Sequence, residues 1–310
     1  MNHRHVLAAI RSQPWAIMPG YLAAIEAIAA RVLDDPAVLA LKKDGHEERQ
    51  LSAVAAMGCR APATRSAMLR DGVGLLPMMG PVFPRANVMT EYSGATSLDV
   101  MAADLRALDA SPDVRSILVV ADSPGGAVAQ INDFGRLVAS VKKPLAVHVT
   151  GLCCSAAYWV CSQAPGGISL DPTGVVGSIG VLISTSYQVE PDSEGRRDLD
   201  IASSNAPKKR PDLSTEEGQA EVRAMLDGIE AVFIAAVARG RGVTEAVVRN
   251  SFGAGGNLTG AAAKAAGMVD RVEADGLDGA IRRLAKAGPA TPRRSAAANT
   301  LMLAQARAGV

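Results

Sequence analysis

The stretch Leu145-Ala-Val-His-Val149, followed by Gly151-Leu-Cys-Cys-Ser155-Ala-Ala-Tyr-Trp-Val-Cys-Ser162, decides how this chain folds. Its first run is apolar on both side-chain faces, as expected of a strand buried on both faces of a sheet. The second run changes to small and aromatic residues and reads as the start of a helix near Ser155. A serine at the junction of a buried strand and a helix is a candidate nucleophile. A serine hydroxyl is a weak nucleophile at neutral pH and needs a base beside it.

Working outward, Ser116 to Val120 is a second continuous strand-like run. It is interrupted by Asp122-Ser-Pro-Gly-Gly126, after which a helix is expected to about Val141. Upstream, Val73 to Met79 reads as a strand ending in Gly80-Pro81. Ser97 is an N-cap candidate for a helix to about Asp109, with Leu98, Met101, Leu105 and Leu108 at helical spacing. Downstream, Ile168 to Leu170 and Val181 to Ile183 are expected as short strands separated by the Gly-rich Thr173 to Gly180. Strand alternating with helix predicts an α/β layered fold with parallel pairing.

Thr215 to about Arg239 is expected as a long helix whose apolar stripe is Ala220, Met225, Leu226, Ile229, Val232, Phe233 and Val237. Shorter helices are expected at Thr244 to Asn250 and Thr259 to Ala266. Glu190 to Pro211 reads as a polar surface loop enclosing a strand-like Leu199 to Ser203. Residues 1–70 read as a helical extension: Pro14 to Pro19 is an apolar plug, an amphipathic helix follows from Tyr21, and Lys42 to Arg49 is charged. A domain over 71–275 and a C-terminal helix with a mobile tail over 276–310 complete the expected organisation.

Composition limits the function. The chain has 310 residues, 48% of them hydrophobic, and a formal net charge of +1. That balance gives no support for nucleic acid or an anionic membrane as the main partner. The N-terminus lacks the long apolar core of a signal peptide, and Pro144 to Leu170 is better explained as strand, turn and helix than as a span. A cytoplasmic protein without a membrane anchor is expected. Cys59, Cys153, Cys154 and Cys161 form no Cys-His spacing suited to zinc. They read as small buried residues in a reducing compartment. No cofactor or metal is expected.

The base for Ser155 is constrained by inventory. The histidines are His3, His5, His46 and His148, and none follows Ser155. His148 lies inside a strand and reads as a core group, so a Ser-His-Asp triad is disfavoured. A lysine of lowered pKa is the next option. Downstream lie Lys208, Lys209, Lys264 and Lys286. Taken alone, Lys208-Lys209 is an ordinary solvated loop. The Gly125-Gly126 turn permits backbone N–H groups to face an oxyanion, with a helix N-terminus behind it, although tight packing explains most such turns. Gly177 to Gly180 lines a groove or merely turns the chain.

Together, Asp122-Ser-Pro-Gly-Gly126, Ser155-Ala-Ala-Tyr-Trp159 and Val176-Gly-Ser-Ile-Gly-Val181 resemble the signal peptide peptidase A family of serine proteases, over roughly Gly72 to Val272. The resemblance implies a Clp protease/crotonase-like fold of repeated β-β-α units and a Ser-Lys dyad. It places the serine on Ser155, the base on Lys208 within Ser204-Asn205-Ala206-Pro207-Lys208, and the oxyanion hole on Gly125 and Gly126. It also implies a homo-oligomer in which the lysine approaches from the same or a neighbouring subunit. Two departures stand out: Cys153-Cys154 replace small residues before the serine, and Asn205 replaces a glycine, which leaves Lys209 as a second candidate base. The Gln13-Pro-Trp-Ala-Ile17 segment is similar to the phage and prophage branch, whose members cleave scaffold and capsid proteins during head maturation. Those proteins are the expected substrates, in the host cytoplasm or the procapsid, and a scaffold-like C-terminal extension would account for the tail. A cytosolic peptide-degrading enzyme, a crotonase-type acyl-CoA enzyme and an inactive scaffold-binding protein are the alternatives.

Overall fold

The computed structural model describes residues 10–11, 13–34, 58–85, 95–184, 203, 206–209 and 211–286. Its centre is three parallel strands. β1 is Trp15–Ile17, β2 Cys59–Arg60, β3 Met68–Arg70, β4 Val73–Met79, β5 Val82–Phe83, β6 Thr96–Ser97, β7 Ser116–Ser123, β8 Gly125–Ala127 and β9 Leu145–Cys154. β4 pairs parallel with β7, and β7 with β9. The β7 run Ile117 to Ala121 is buried throughout, which is why it carries no polar alternation.

β9 is long enough to serve two further strands. Its first half pairs parallel with β10 (Ile168–Leu170), and its second half pairs parallel with β11 (Val175–Gly177). The strand expected at Val181 to Ile183 is instead β11, six residues earlier; Leu182 makes only a single bridge, to Trp15. The glycines of this region do not exclude a strand, because Gly177 ends β11 with its backbone at φ 139°. β12 (Asn257–Thr259) pairs antiparallel with β11, and β13 (Arg271–Val272) pairs parallel with β10.

A second sheet stands at one end, in the order β1-β8-β5-β6. β7 turns through Pro124 into β8, so a single chain segment passes from the large sheet to the small one. The apolar plug expected at Pro14 to Pro19 is therefore a strand, β1, with Trp15 and Ala16 fully buried. Its indole meets Phe83 edge to face, with centroids 5.9 Å apart.

The helices fill the layers around these sheets. α1 (Pro19–Asp34) buries Leu22, Ile25 and Ala29, one face at helical spacing, and Leu22 and Ile25 join a cluster with Trp15, Ile17 and Phe83. α2 (Leu98–Ala110) starts at Ser97, whose side chain accepts from the Val100 N–H. Its buried Asp104 carboxylate accepts from the Arg65, Ser66 and Ala67 N–H groups, which ties the hairpin of β2 and β3 to the helix. α3 is Ile131–Ser140, α4 Ala156–Cys161, α5 Glu216–Arg241, α6 Glu245–Ser251, α7 Gly260–Ala265 and α8 Gly276–Lys286. α8 closes the other face of the large sheet with Ala280, Ile281 and Leu284 against Leu118, Val120 and Ala146.

The stripe expected on α5 is only half buried. Phe233 and Val237 enter the core, whereas Ala220, Met225 and Val232 are exposed. Among the described residues, the buried part of α5 is mainly its C-terminal half, at Phe233, Ile234, Ala236, Val237 and Ala238. The strand-like 199–202, Ser204, Asn205, the charged stretch at 42–49, His3, His5, His46 and the tail from Pro289 lie outside the described residues.

Candidate active site

Ser155 occupies the single residue between β9 and α4, and it is 1% exposed. Its backbone has φ 54° and ψ −121°, a conformation that favours glycine. A residue with a Cβ stands there at a cost of about 1–3 kcal/mol, which the surrounding structure must over-determine. Several bonds do so. The Ser155 N–H donates to Gly177 O at 2.8 Å, and Ser155 O accepts from the Trp159 N–H at 2.9 Å. Behind it, Trp159 stacks on Phe233 of α5 with centroids 4.5 Å apart, and the Tyr158 hydroxyl donates to Met268 O at 2.8 Å. These contacts fix α4, and with it the sharp turn that aims the serine.

Gly125 stands against Ser155. A Cβ built on Gly125 would lie 2.9 Å from the Ser155 Cβ and 3.0 Å from Cys154 O. Gly126 is equally confined: a Cβ there would lie 1.9 Å from Val82 O. Only glycine fits at either place. One expectation is corrected here. Gly125 and Gly126 belong to strand β8, and helix α3 begins only at Ile131, so the helix that follows them in the chain does not start at the glycines; the helix beside Gly125 is α4, which starts after Ser155. The Gly125 N–H donates to Ser123 Oγ at 3.3 Å. On the opposite side, the Ser155 hydroxyl donates to Gly180 O at 3.5 Å. The Gly177 to Gly180 segment therefore borders the serine.

The neighbouring cysteines are not competing nucleophiles. Burial pushes the Cys154 thiol up to about 12, and its sulfur lies 3.7 Å from Asn257 Oδ1. Cys153 is also raised, first by its contact with Cys161 and then by burial. A thiol kept protonated is inert. Cys59 departs from the expectation of burial: it is exposed on the edge strand β2.

His148 is a core group. It is fully buried, its Nδ1 lies 3.1 Å from Ser169 Oγ, and that hydroxyl donates to Val147 O at 3.0 Å. The imidazole Nδ1–H therefore donates to Ser169. Burial, with the Arg283 charge second, lowers its pKa to about 4. Asp122 is likewise structural. Its carboxylate accepts from the Leu152 N–H at 2.9 Å and covers Gly151, where a Cβ would lie 2.5 Å from Asp122 Oδ1.

Lys208 sits in a short 3-10 turn, Pro207–Lys209, ahead of α5. Its ammonium pairs with Glu221 at 2.5 Å and is exposed to solvent. The Glu221 hydrogen bond and charge raise its pKa, the reverse of what a neutral base needs. Lys209 is exposed as well. The structure thus brings Ser155, Gly125 and the Gly177 to Gly180 segment together, with Gly126 next in the strand. It pairs Lys208 with Glu221 instead of with the serine.

Sequence reasoning missed the strand β1 beside this group. Trp15, Ala16 and Ile17 register antiparallel against Ala127, Gly126 and Gly125. The available signal was three consecutive apolar residues bounded by Pro14 and Pro19, a length that fits a strand as well as a plug.

Among the described residues, no group of His, Cys, Asp or Glu is arranged to hold a metal ion. No described helix is long and apolar enough to cross a membrane. Comparison with known proteins agrees with the geometry. The model of Peptidase family S49 matches residues 138–289, which contain Ser155, β9 to β13 and α5 to α8. Capsid assembly protease C of Escherichia phage lambda is 32% identical over 124 residues, covering 39% of this chain and 28% of that protein. Head-tail preconnector protein GP5 of Enterobacteria phage P21 is 28% identical over 199 residues, covering 59% of this chain and 37% of that protein. The chain thus spans about a third of the length of these relatives. Its parallel β4-β7-β9-β10 core, its antiparallel flanks and the matched segment agree: it has a mixed α/β Clp protease/crotonase-like fold, and residues 138–289 are similar to peptidase family S49.

Proposed function

We propose that this protein is a serine endopeptidase that processes capsid or scaffold proteins during phage head maturation. The observation that carries the reading is the posture of Ser155: a buried hydroxyl on a left-handed backbone at a strand–helix junction, walled by Gly125 on one side and Gly180 on the other. A core serine has no reason to bear that strain, whereas a nucleophile does. The names of the two phage relatives supply the substrate class.

In this mechanism a neutral lysine, Lys208 or its neighbour Lys209, takes the Ser155 proton as Oγ attacks the peptide carbonyl. The oxyanion of the tetrahedral intermediate accepts from the Gly126 N–H and from a second backbone N–H beside it. The lysine ammonium returns its proton to the leaving amine. Water, deprotonated by the same lysine, then hydrolyses the acyl-enzyme. Lys208 reaches this role by leaving Glu221 and entering a drier site, within the chain or from a neighbouring subunit. A homo-oligomer suits the exposed Met225 and Val232 on α5, the helix that follows the lysines. A crotonase-type reading loses its carboxylate, because Asp122 is committed to Leu152.

Fluorophosphonate labelling with peptide mapping tests the proposal, using wild type, Ser155→Ala, Lys208→Ala and Lys209→Ala. Label on Ser155, lost in Ser155→Ala and in one lysine variant, is the expected result. No label in the folded oligomer leaves the fold as a scaffold-binding module instead.

A further inference from the structure

The small sheet contains a feature that the peptidase reading does not use. β1 lies between two other segments. On one side it pairs antiparallel with β8, with Trp15, Ala16 and Ile17 opposite Ala127, Gly126 and Gly125. On the other side the Trp15 N–H donates to Leu182 O at 2.8 Å, and the Leu182 N–H donates to Trp15 O at 2.9 Å. An extended tripeptide is thus held by backbone bonds from both flanks, and Leu182 follows the Gly177 to Gly180 segment that borders Ser155.

Register decides which carbonyl faces the serine. The Met18 N–H donates to Pro124 O at 3.0 Å, and the Val128 N–H donates to Pro14 O at 3.5 Å. Antiparallel ladders alternate hydrogen-bonded and non-bonded pairs. Ala16 and Gly126, midway between those two pairs, therefore exchange N–H···O bonds. Ala16 O meets the Gly126 N–H, the donor assigned above to the oxyanion. A Cβ on Gly125 would lie 2.2 Å from Ala16 O and 2.9 Å from the Ser155 Cβ, so both atoms crowd one point. The Ala16 methyl is fully buried within the main core.

We infer that Trp15–Ile17 is an intramolecular pseudosubstrate: it fills the peptide-binding cleft of Ser155 with the Ala16 carbonyl in the oxyanion site. The inference rests on the peptidase reading. It makes the cleft a slot for an extended protein segment laid antiparallel to β8, with a small apolar residue such as alanine at the position attacked. The acceptor competes with any substrate carbonyl for the same donor, so the strand must leave before cleavage begins. Trp15 and α1 hold it in place through the cluster with Phe83, Leu22 and Ile25.

The test locks and releases the strand. Trp15 and Ala127 are a non-bonded pair, at the spacing of about 4.5 Å that a disulfide tolerates. The variant Trp15→Cys/Ala127→Cys is compared with itself, oxidised and reduced, in the full chain. The expected result is Ser155 labelling by fluorophosphonate at least about tenfold faster when reduced, since a competitor that occupies the cleft most of the time lowers the apparent rate by that fraction. A peptide of residues Gln13 to Met18, added in trans, slows labelling of the reduced form. Equal rates in both states, with Ser155 labelled, overturn the pseudosubstrate and leave the peptidase intact. No labelling of Ser155 in either state, nor in Ala16→Asp, which forces a charge into the buried position, overturns both. Ala16→Asp also serves if the double variant fails to fold, and faster labelling than wild type is expected from it.

Discussion

Gly125 and Ser155 are packed so closely that a Cβ on the glycine would stand 2.9 Å from the Cβ of the serine. Gly125 opens β8 of the small sheet and Ser155 directly follows β9 of the large one, so their contact is where the two sheets meet. It explains why both carry positive φ, 102° and 54°. The glycine must bend the chain from β7 into β8 beside the serine, and the serine must turn β9 into α4 in the same space.

Gly125→Ala is therefore expected to damage both stability and labelling. The new methyl would meet Ala16 O at 2.2 Å and the Ser155 Cβ at 2.9 Å, so it crowds the serine even with β1 displaced, and alanine at φ 102° adds strain of about 1–3 kcal/mol. Thermal unfolding and fluorophosphonate labelling measured together check this. Wild-type stability with wild-type labelling would show that β8 has freedom the packing denies it.

The pair Lys208–Glu221 yields a pH prediction that separates the two candidate bases. The hydrogen bond and charge of Glu221 raise the Lys208 pKa. A general base works only when neutral, so activity rises with pH through the lysine titration. Glu221→Gln removes the carboxylate and lowers that pKa. The pair holds Lys208 in its charged resting form and must break before the lysine acts, so with Lys208 as the base its loss in Glu221→Gln moves the ascending limb to lower pH. A limb that stays in place, with activity lost in Lys209→Ala, identifies Lys209. Both measurements use peptide hydrolysis in the assembled protein.

Much of the fold was legible because its strands are buried on both faces. β7, β9 and β10 are runs of apolar residues between turn signals, and Ser97 announces α2 by its cap. Ser155 was legible as the one hydroxyl between a strand and a helix among small residues. What escaped was set by tertiary contacts. Trp15–Ile17 is too short for any periodicity and becomes a strand only because Gly125–Ala127 and Leu182 supply partners from distant parts of the chain. Val175–Gly177 was read as a glycine turn, although Gly177 lies in register with Cys154 at the end of β9. The apolar stripe of α5 was legible as a pattern, yet a pattern does not say which part of it is buried: Phe233 and Val237 are, Met225 and Val232 are not.

His148 supplies a test of folding that is independent of catalysis. Burial, and then the Arg283 charge, hold its pKa at about 4, against 6.5 for the free side chain. The unfolded chain binds a proton near pH 6.5, while the folded chain resists until about pH 4. The unfolded state therefore carries more protons in that window, and stability falls as pH drops through it. The stability is present in full above the unfolded pKa. The loss is on the order of 2–3 kcal/mol by the time the lower value is reached. His148→Gln keeps a polar group near Ser169 but cannot take up the proton. Its urea-unfolding free energy is expected to be lower than wild type at pH 7 and to decline less between pH 6.5 and 4. Parallel slopes for the two proteins would mean that His148 takes up its proton as readily in the fold as in the unfolded chain.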